Sequence, residues 1–285
     1  MKRKYILIGV SLALASLVLS CNNNGKTKQN AVKDTTTVAV DLSSKKSFVY
    51  TKYELPLSVD VYKFLKSKNV DFNKGYMHSL SKKDKYFTGV SRALVLGIYS
   101  SDLAYATIYD KSQESVDYFG VSIDLAHKLD IEQGYDSKVL DRAYDNLNNN
   151  DSLSKIAAEA YRKTCNCLEE NKTTNILPFI VLGSWLESIH ILTQASMGSV
   201  PADGLLQELY NQRVHLNGMI KYLSDVIAQS EGAPEIEDMK SLLEKLKLMQ
   251  SKYELIDVSH AESLNIGQFK DVIFLVTDMR KVITD

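Results

Sequence analysis

The sequence predicts an all-α domain, a multi-helix antiparallel bundle or a set of stacked helical hairpins, preceded by a signal peptide and a flexible tether. Three observations predict it. Apolar residues recur at helical spacing through most of the chain, as in Met239, Leu242, Leu243, Leu246, Met249 and Tyr253, which follow the i, i+3, i+4, i+7 pattern of one buried face. Two segments, Thr88 to Tyr109 and Asn175 to Met197, are apolar on nearly every side, which marks helices at the centre of a fold. The four prolines, at 56, 178, 201 and 234, each fall near an expected helix start, where a missing N–H is harmless.

The first element is the signal. Lys2, Arg3 and Lys4 precede an uncharged apolar stretch, Tyr5 to Leu19, followed by Ser20 and Cys21, the basic, apolar, small order of a secretory leader. The apolar stretch is shorter than the ~20 residues that span a bilayer as a helix. Val18, Leu19, Ser20 and Cys21 resemble a bacterial lipobox, in which the cysteine thiol is diacylated and becomes the new N-terminus. An ordinary signal peptide with a cysteine by chance in its cleavage region is the weaker reading, because Cys21 stands at the junction of apolar and polar sequence. Two acyl chains give stable anchoring where one does not. Residues 1–20 are thus read as a lipoprotein signal peptide, 21–47 as a lipidated cysteine with a tether, and 48–285 as the folded domain. The tether is Asn-, Lys-, Thr- and Ser-rich, too polar to bury a core, and a coil of that length reaches roughly 25–30 Å.

Helices follow in order. Ser58 to about Ser67 forms a short one after Pro56. In Thr88 to Tyr109, Leu94, Ile98, Tyr105 and Ile108 share a face, with Leu96 and Leu103 elsewhere. Ser112 suits the N-cap of a helix to about Leu129, with Val116, Phe119, Ile123 and Ala126 inward. Asp136 and Asp151 suit the caps of the next two, separated by Asn148, Asn149 and Asn150; the second presents Ala157, Ala160, Tyr161, Thr164 and Leu168. Asn175 to Met197 carries Pro178 in its first turn. Ala202 to Ser230 and Ile236 to about Leu255 are long and amphipathic, and a helix from about Ile266 to Ile283 closes the chain. Short connections imply antiparallel neighbours. Leu96, Gly97 and Asp102 loosely echo Leu182, Gly183 and Glu187.

Composition excludes some functions. Removal of the signal leaves 31 basic residues against 35 acidic, a net charge near −4, and no basic stripe offers a footprint for nucleic acid. Cys165 and Cys167 lie two apart on a helix, pointing roughly 160° away from each other, so free, partly buried thiols are expected rather than a bridge. No nucleophile elbow, phosphate-cradling loop or dinucleotide fingerprint is present, and no cofactor is expected.

Asp102 and Glu187 are the positions that invite chemistry, since each is a carboxylate inside an otherwise apolar helix. A buried unpaired charge is costly, so each needs a partner, a proton or a wet cavity. Tyr99 and Tyr105 flank the first, Trp185 and His190 the second, and these six are the candidate binding residues. The plainer reading is a structural one, with the carboxylates paired to arginine, Arg213 first, then Arg92 or Arg142, or to tyrosine. Glu187 and His190 form a Glu-x-x-His pair, used twice in di-iron bundles, but it occurs once here. One ion held by Asp102, Glu187 and His190 stands as an alternative; no metal ligand set is otherwise expected.

Leu96 to Tyr105 (LGIYSSDLAY) and Gly183 to Gln194 (GSWLESIHILTQ) resemble motifs of a family of uncharacterised all-helical lipoproteins from Bacteroidota. The resemblance runs from about Tyr50 to the C-terminus, including the surroundings of Pro56 and Tyr86. It implies an exported, lipid-anchored helical domain, brings no activity with it, and marks Asp102, Trp185 and Glu187 without assigning them roles. The expectation is a cell-envelope protein held to the membrane, the outer membrane facing the periplasm, through acyl chains on Cys21. It would bind an envelope protein or small ligand in a groove between helices. The alternative is an enzyme or metal protein using Asp102, Glu187 and His190.

Overall fold

A computed structural model describes residues 52–55, 57–131, 137–146, 175–198, 204–257 and 264–285, with scattered positions between 149 and 168. The signal, Cys21, the tether, Pro56, Asp136, Asp151, Tyr161, Cys165, Cys167 and Pro201 lie outside the described residues. The chain is all-α. Among the described residues the bounded helices are α1 (Ser58–Ser67), α2 (Gly89–Ile108), α3 (Ser112–His127), α4 (Ser137–Asp145), α5 (Leu177–Ser196), α6 (Leu205–Gln229), α7 (Ile236–Tyr253) and α8 (Lys270–Thr284). Among the described residues no helix is long and apolar enough to cross a membrane.

Local chemistry sets the helix ends. Thr88 accepts the Ser91 N–H and Ser91 returns the bond to the Thr88 N–H, a reciprocal capping box that satisfies two of the free N–H groups at the start of α2. Ser112 does not cap α3 as expected: it lies inside the first turn, Lys111 holds the cap position, and Asp110 at φ 59° makes the tight reversal from α2. Asp tolerates that left-handed geometry better than most residues. The last helix is also shorter than expected, because Ile266–Phe269 form a 3-10 turn before α8.

Consecutive helices mostly reverse direction. Thr107 meets Ser115 near one end of α2 and α3 while Arg92 reaches the Lys128 carbonyl at the other. Trp185 meets Gln212 and Asn175 meets Ser230 along α5 and α6. Tyr253 donates to the Leu209 carbonyl and Gln250 to Asn217 along α7 and α6. Two pairs run the same way instead. In α1 and α2, Tyr62 pairs with Ser101 and Lys66 with the Ile108 carbonyl, both registers ascending; the connection through residues 68–88, with two 3-10 turns, is long enough to carry the chain back. Short-connection reasoning did not foresee this.

The second parallel pair is α2 and α5, which make the most extensive contact in the domain. They cross at two glycines. A Cβ on Gly97 would stand 2.1 Å from the Ile180 carbonyl oxygen, and one on Gly183 would stand 2.0 Å from that of Leu94. Only glycine permits backbones so close. Around this crossing Leu96, Ile98, Tyr99, Ile180, Leu182, Trp185 and Leu186 are fully buried, so polar side chains on the same two helices are carried into the centre of the core.

Candidate functional site

Asp102 and Glu187 lie just past the two glycines, and both are 0% exposed. The two carboxyl groups face each other, and the repulsion between neighbouring buried carboxylates favours a proton on one of them. Burial, then the charge of Glu187, pushes Asp102 well above the usual carboxylate range. Asp102 Oδ2 accepts the His78 backbone N–H at 2.9 Å, while Oδ1 meets no N–H or O–H donor among the described residues.

Glu187 has the cation. Arg280 on α8 donates from Nε to Oε2 at 2.5 Å and from Nη2 to Oε1 at 2.7 Å, the two-pronged geometry in which guanidinium and carboxylate bond most strongly. Burial raises the Glu187 carboxyl as well, and Arg280 acts against it. With both Glu187 oxygens accepting from Arg280, that proton belongs on Asp102. Burial also opposes the charge on Arg280, and Glu187 overcomes it, so the guanidinium is held above its usual range. The cluster is two carboxyl groups and a guanidinium joining α2, α5 and α8.

A ring of groups encloses it. His78 Nε2 bonds the Tyr86 hydroxyl at 2.6 Å, and Tyr118 donates to the His78 carbonyl at 2.6 Å. Tyr62 and Ser101 share a hydrogen bond of 2.6 Å. Burial, helped by Arg280, lowers the His78 and His190 imidazoles to about 3, so both are neutral. The Tyr76 carbonyl accepts from Arg280 Nη2 at 3.4 Å, and His190 Nδ1 has no partner among the described residues. Burial pushes the hydroxyls of Tyr62, Tyr99 and Tyr118 up.

Of the six candidate residues, Asp102, Glu187 and His190 come together around Arg280. Tyr99 is adjacent, its hydroxyl donating to the Ser79 carbonyl at 2.9 Å and its ring 5.0 Å from that of His78. Tyr105 turns toward α1 and the 70s segment: it accepts the Asn73 N–H at 3.0 Å and its ring lies 5.0 Å from Tyr62 and 4.9 Å from Phe72. Trp185 points the other way, its indole N–H donating to Gln212 on α6 at 3.3 Å.

Two expectations need correction. Arg213 is not the partner of the carboxylates; it stacks on Tyr210, its guanidinium carbon 3.9 Å from the ring centre, while Arg92 bonds backbone carbonyls and Arg142 pairs with Glu159. Among the described residues no group of three or more His, Cys, Asp and Glu side chains is arranged to hold a metal ion. The guanidinium of Arg280 stands where Asp102, Glu187 and His190 would have held one. Sequence reasoning missed Arg280, His78, Tyr62 and Tyr118. Arg280 had a signal, lying four residues past Val276 on the buried stripe of Val272, Val276 and Met279; His78 had none.

Apart from the cluster, a narrow apolar cleft runs among α2, α3 and α4, lined by Leu103, Thr107, Val116, Phe119, Ala143 and Leu153. It carries no convergent set of charged groups. Comparison of the chain with protein-family models, with curated proteins and with solved structures found no match.

Proposed function

We propose that this chain is a membrane-anchored lipoprotein of the bacterial envelope, a non-catalytic module that binds its partner through its surface or a groove between helices. One observation carries the non-catalytic part. The central carboxyl groups are engaged by the protein's own atoms, Glu187 by both prongs of Arg280 and Asp102 by the His78 N–H at one oxygen. An active site keeps its acid and base directed at an open position for the reacting group, and this cluster spends them on cross-linking α2, α5 and α8. The anchored part is supported by the order of Lys2, Arg3, Lys4, the apolar run and Cys21. The outer membrane, on its periplasmic side, is the favoured site.

A second reading, an acid–base enzyme, is favoured only by the proton on Asp102 beside the anionic Glu187. The two readings separate in one set of measurements. Cells fed a fatty-acid analogue should label the protein, and Cys21→Ala should abolish the label and free the chain from the membrane fraction. An unlabelled protein, or one whose fractionation ignores that change, ends the anchoring proposal. Turnover of any member of a broad hydrolase and oxidase panel, lost in both Asp102→Asn and Glu187→Gln while the fold persists, would establish the enzyme instead.

A further inference from the structure

One end of the bundle carries exposed apolar side chains among lysines. Phe87 is 78% exposed and follows Lys82, Lys83 and Lys85 in the segment that leads into α2. That segment is fastened to the last turn of α8, with Lys82 bonding Asp285 at 2.7 Å and Tyr86 donating to the Thr284 carbonyl at 3.4 Å. The same turn presents Val282, 64% exposed, next to Lys281. From α3, Lys128 pairs with Asp84. The acidic partners at this end, Asp84, Asp124 and Asp285, are themselves exposed, and exposed pairs are weak enough to trade a carboxylate for another anion.

The chain also enters the domain at this end. Tyr53 donates to Asp225 at 2.9 Å on the C-terminal part of α6, just beyond which Ser230 bonds Asn175, before the start of α5. Because α2 and α5 run in the same direction, the beginnings of both helices, the entry of the chain and Phe87 lie at a common end. An aromatic side chain flanked by lysines suits the boundary of headgroups and acyl chains, and phosphates there would answer the ammonium groups.

We propose that this end docks on an anionic lipid surface, with Phe87 and Val282 entering the headgroup region and Lys82, Lys83, Lys85 and Lys281 facing lipid phosphates. The proposal rests on the reading of Cys21 as an acylated anchor, which would hold this end near the bilayer. The test uses the full lipidated protein carrying Phe87→Trp, reconstituted in vesicles of phosphatidylethanolamine and phosphatidylglycerol that contain a brominated lipid. Co-flotation with the vesicles reports the anchor, and quenching of the introduced indole reports docking; Trp185 is buried and serves as a constant background. Quenching is expected, and each of Lys83→Glu and Lys85→Glu should shift the docking equilibrium at least about fivefold away from the surface; raised salt should shift it the same way. A protein that floats with the vesicles while its indole stays unquenched overturns docking and leaves the anchor standing. A protein that does not float refutes the anchor, and quenching on simple addition of the same vesicles then decides docking, its absence overturning the proposal.

Discussion

Gly97 and Gly183 are reciprocal. Each faces the backbone carbonyl of the residue three positions before the other, Ile180 for Gly97 and Leu94 for Gly183, as expected of two parallel helices related by a local two-fold axis. Four and five positions beyond each glycine stands a buried polar pair, Ser101 with Asp102 and Glu187 with Ser188, all 0% exposed. Close backbone approach and a polar centre are therefore one feature of the crossing.

Gly97→Ala or Gly183→Ala should each destabilise the fold by at least about 3 kcal/mol, toward the severe end of core overpacking. The obstruction is a carbonyl oxygen about 2 Å from the new carbon, and a helix backbone has no rotamer with which to retreat. Urea denaturation followed by circular dichroism measures the loss. A midpoint unchanged from the parent chain would refute the crossing.

Asp102 and Glu187 should respond unequally to the loss of charge. Burial and the charge of Glu187 favour the neutral form of Asp102, so Asp102→Asn, whose amide oxygen can still accept the His78 N–H, should change stability by less than about 1 kcal/mol. Glu187→Gln strands the largely enclosed Arg280, whose side chain is 16% exposed, at a cost of about 3 kcal/mol, the low end for a broken buried pair. The same denaturation experiment decides it. Equal losses in the two variants would contradict the placement of the proton.

The ion pair itself is testable as a pair. Arg280→Met leaves Glu187 buried without its cation, and Glu187→Leu leaves Arg280 without its anion, whereas the double replacement removes both obligations. The double variant should therefore be more stable than either single one, as buried pairs replaced by apolar residues generally are. A double-mutant cycle measures the coupling; additive losses would mean that the guanidinium and carboxylate do not depend on each other.

How far the sequence foretold this centre follows from which signals are local. Helical periodicity exposed α2 and α5 as central, and a carboxylate inside each apolar helix singled out Asp102 and Glu187. The partner was misassigned because pairing across 93 positions of sequence leaves no periodic trace. Arg213 interrupts an apolar series more visibly than Arg280, yet its long side chain folds back over Tyr210. His78 sits in the non-periodic connection between α1 and α2, where a backbone N–H can bond a buried acid whatever side chain follows it.

His78 gives a pH dependence of definite sign. Its folded value is about 3 against an ordinary 6.5, so between those limits the unfolded chain holds a proton that the folded chain refuses. The stability this group contributes is complete above pH 6.5 and is lost as the pH falls toward 3. Asp102 acts oppositely: its folded value is raised, and its contribution is present at acid pH and lost as the pH rises through that value. The comparison that isolates His78 is His78→Gln, which keeps a hydrogen-bonding group near Tyr86. Relative to the parent, its stability should fall less steeply on acidification, by about 1.4 kcal/mol per pH unit between 6.5 and 3. Identical slopes would mean that the imidazole titrates freely in the folded protein.

The tyrosines supply the alkaline counterpart. Burial raises Tyr86 and Tyr105 to about 12 and pushes Tyr62, Tyr99, Tyr118 and Tyr253 upward too. Each stays neutral in the folded core, so its stabilising contribution is complete below the ordinary value near 10 and is lost as the pH climbs above it. Near-ultraviolet phenolate absorbance should therefore rise in two phases. The later phase belongs to the buried set, which should ionise only as helical circular dichroism disappears. A single smooth titration of the tyrosines with helix content intact would show that the hydroxyls around Asp102 reach water, and the cluster would then be an open site rather than a cross-link.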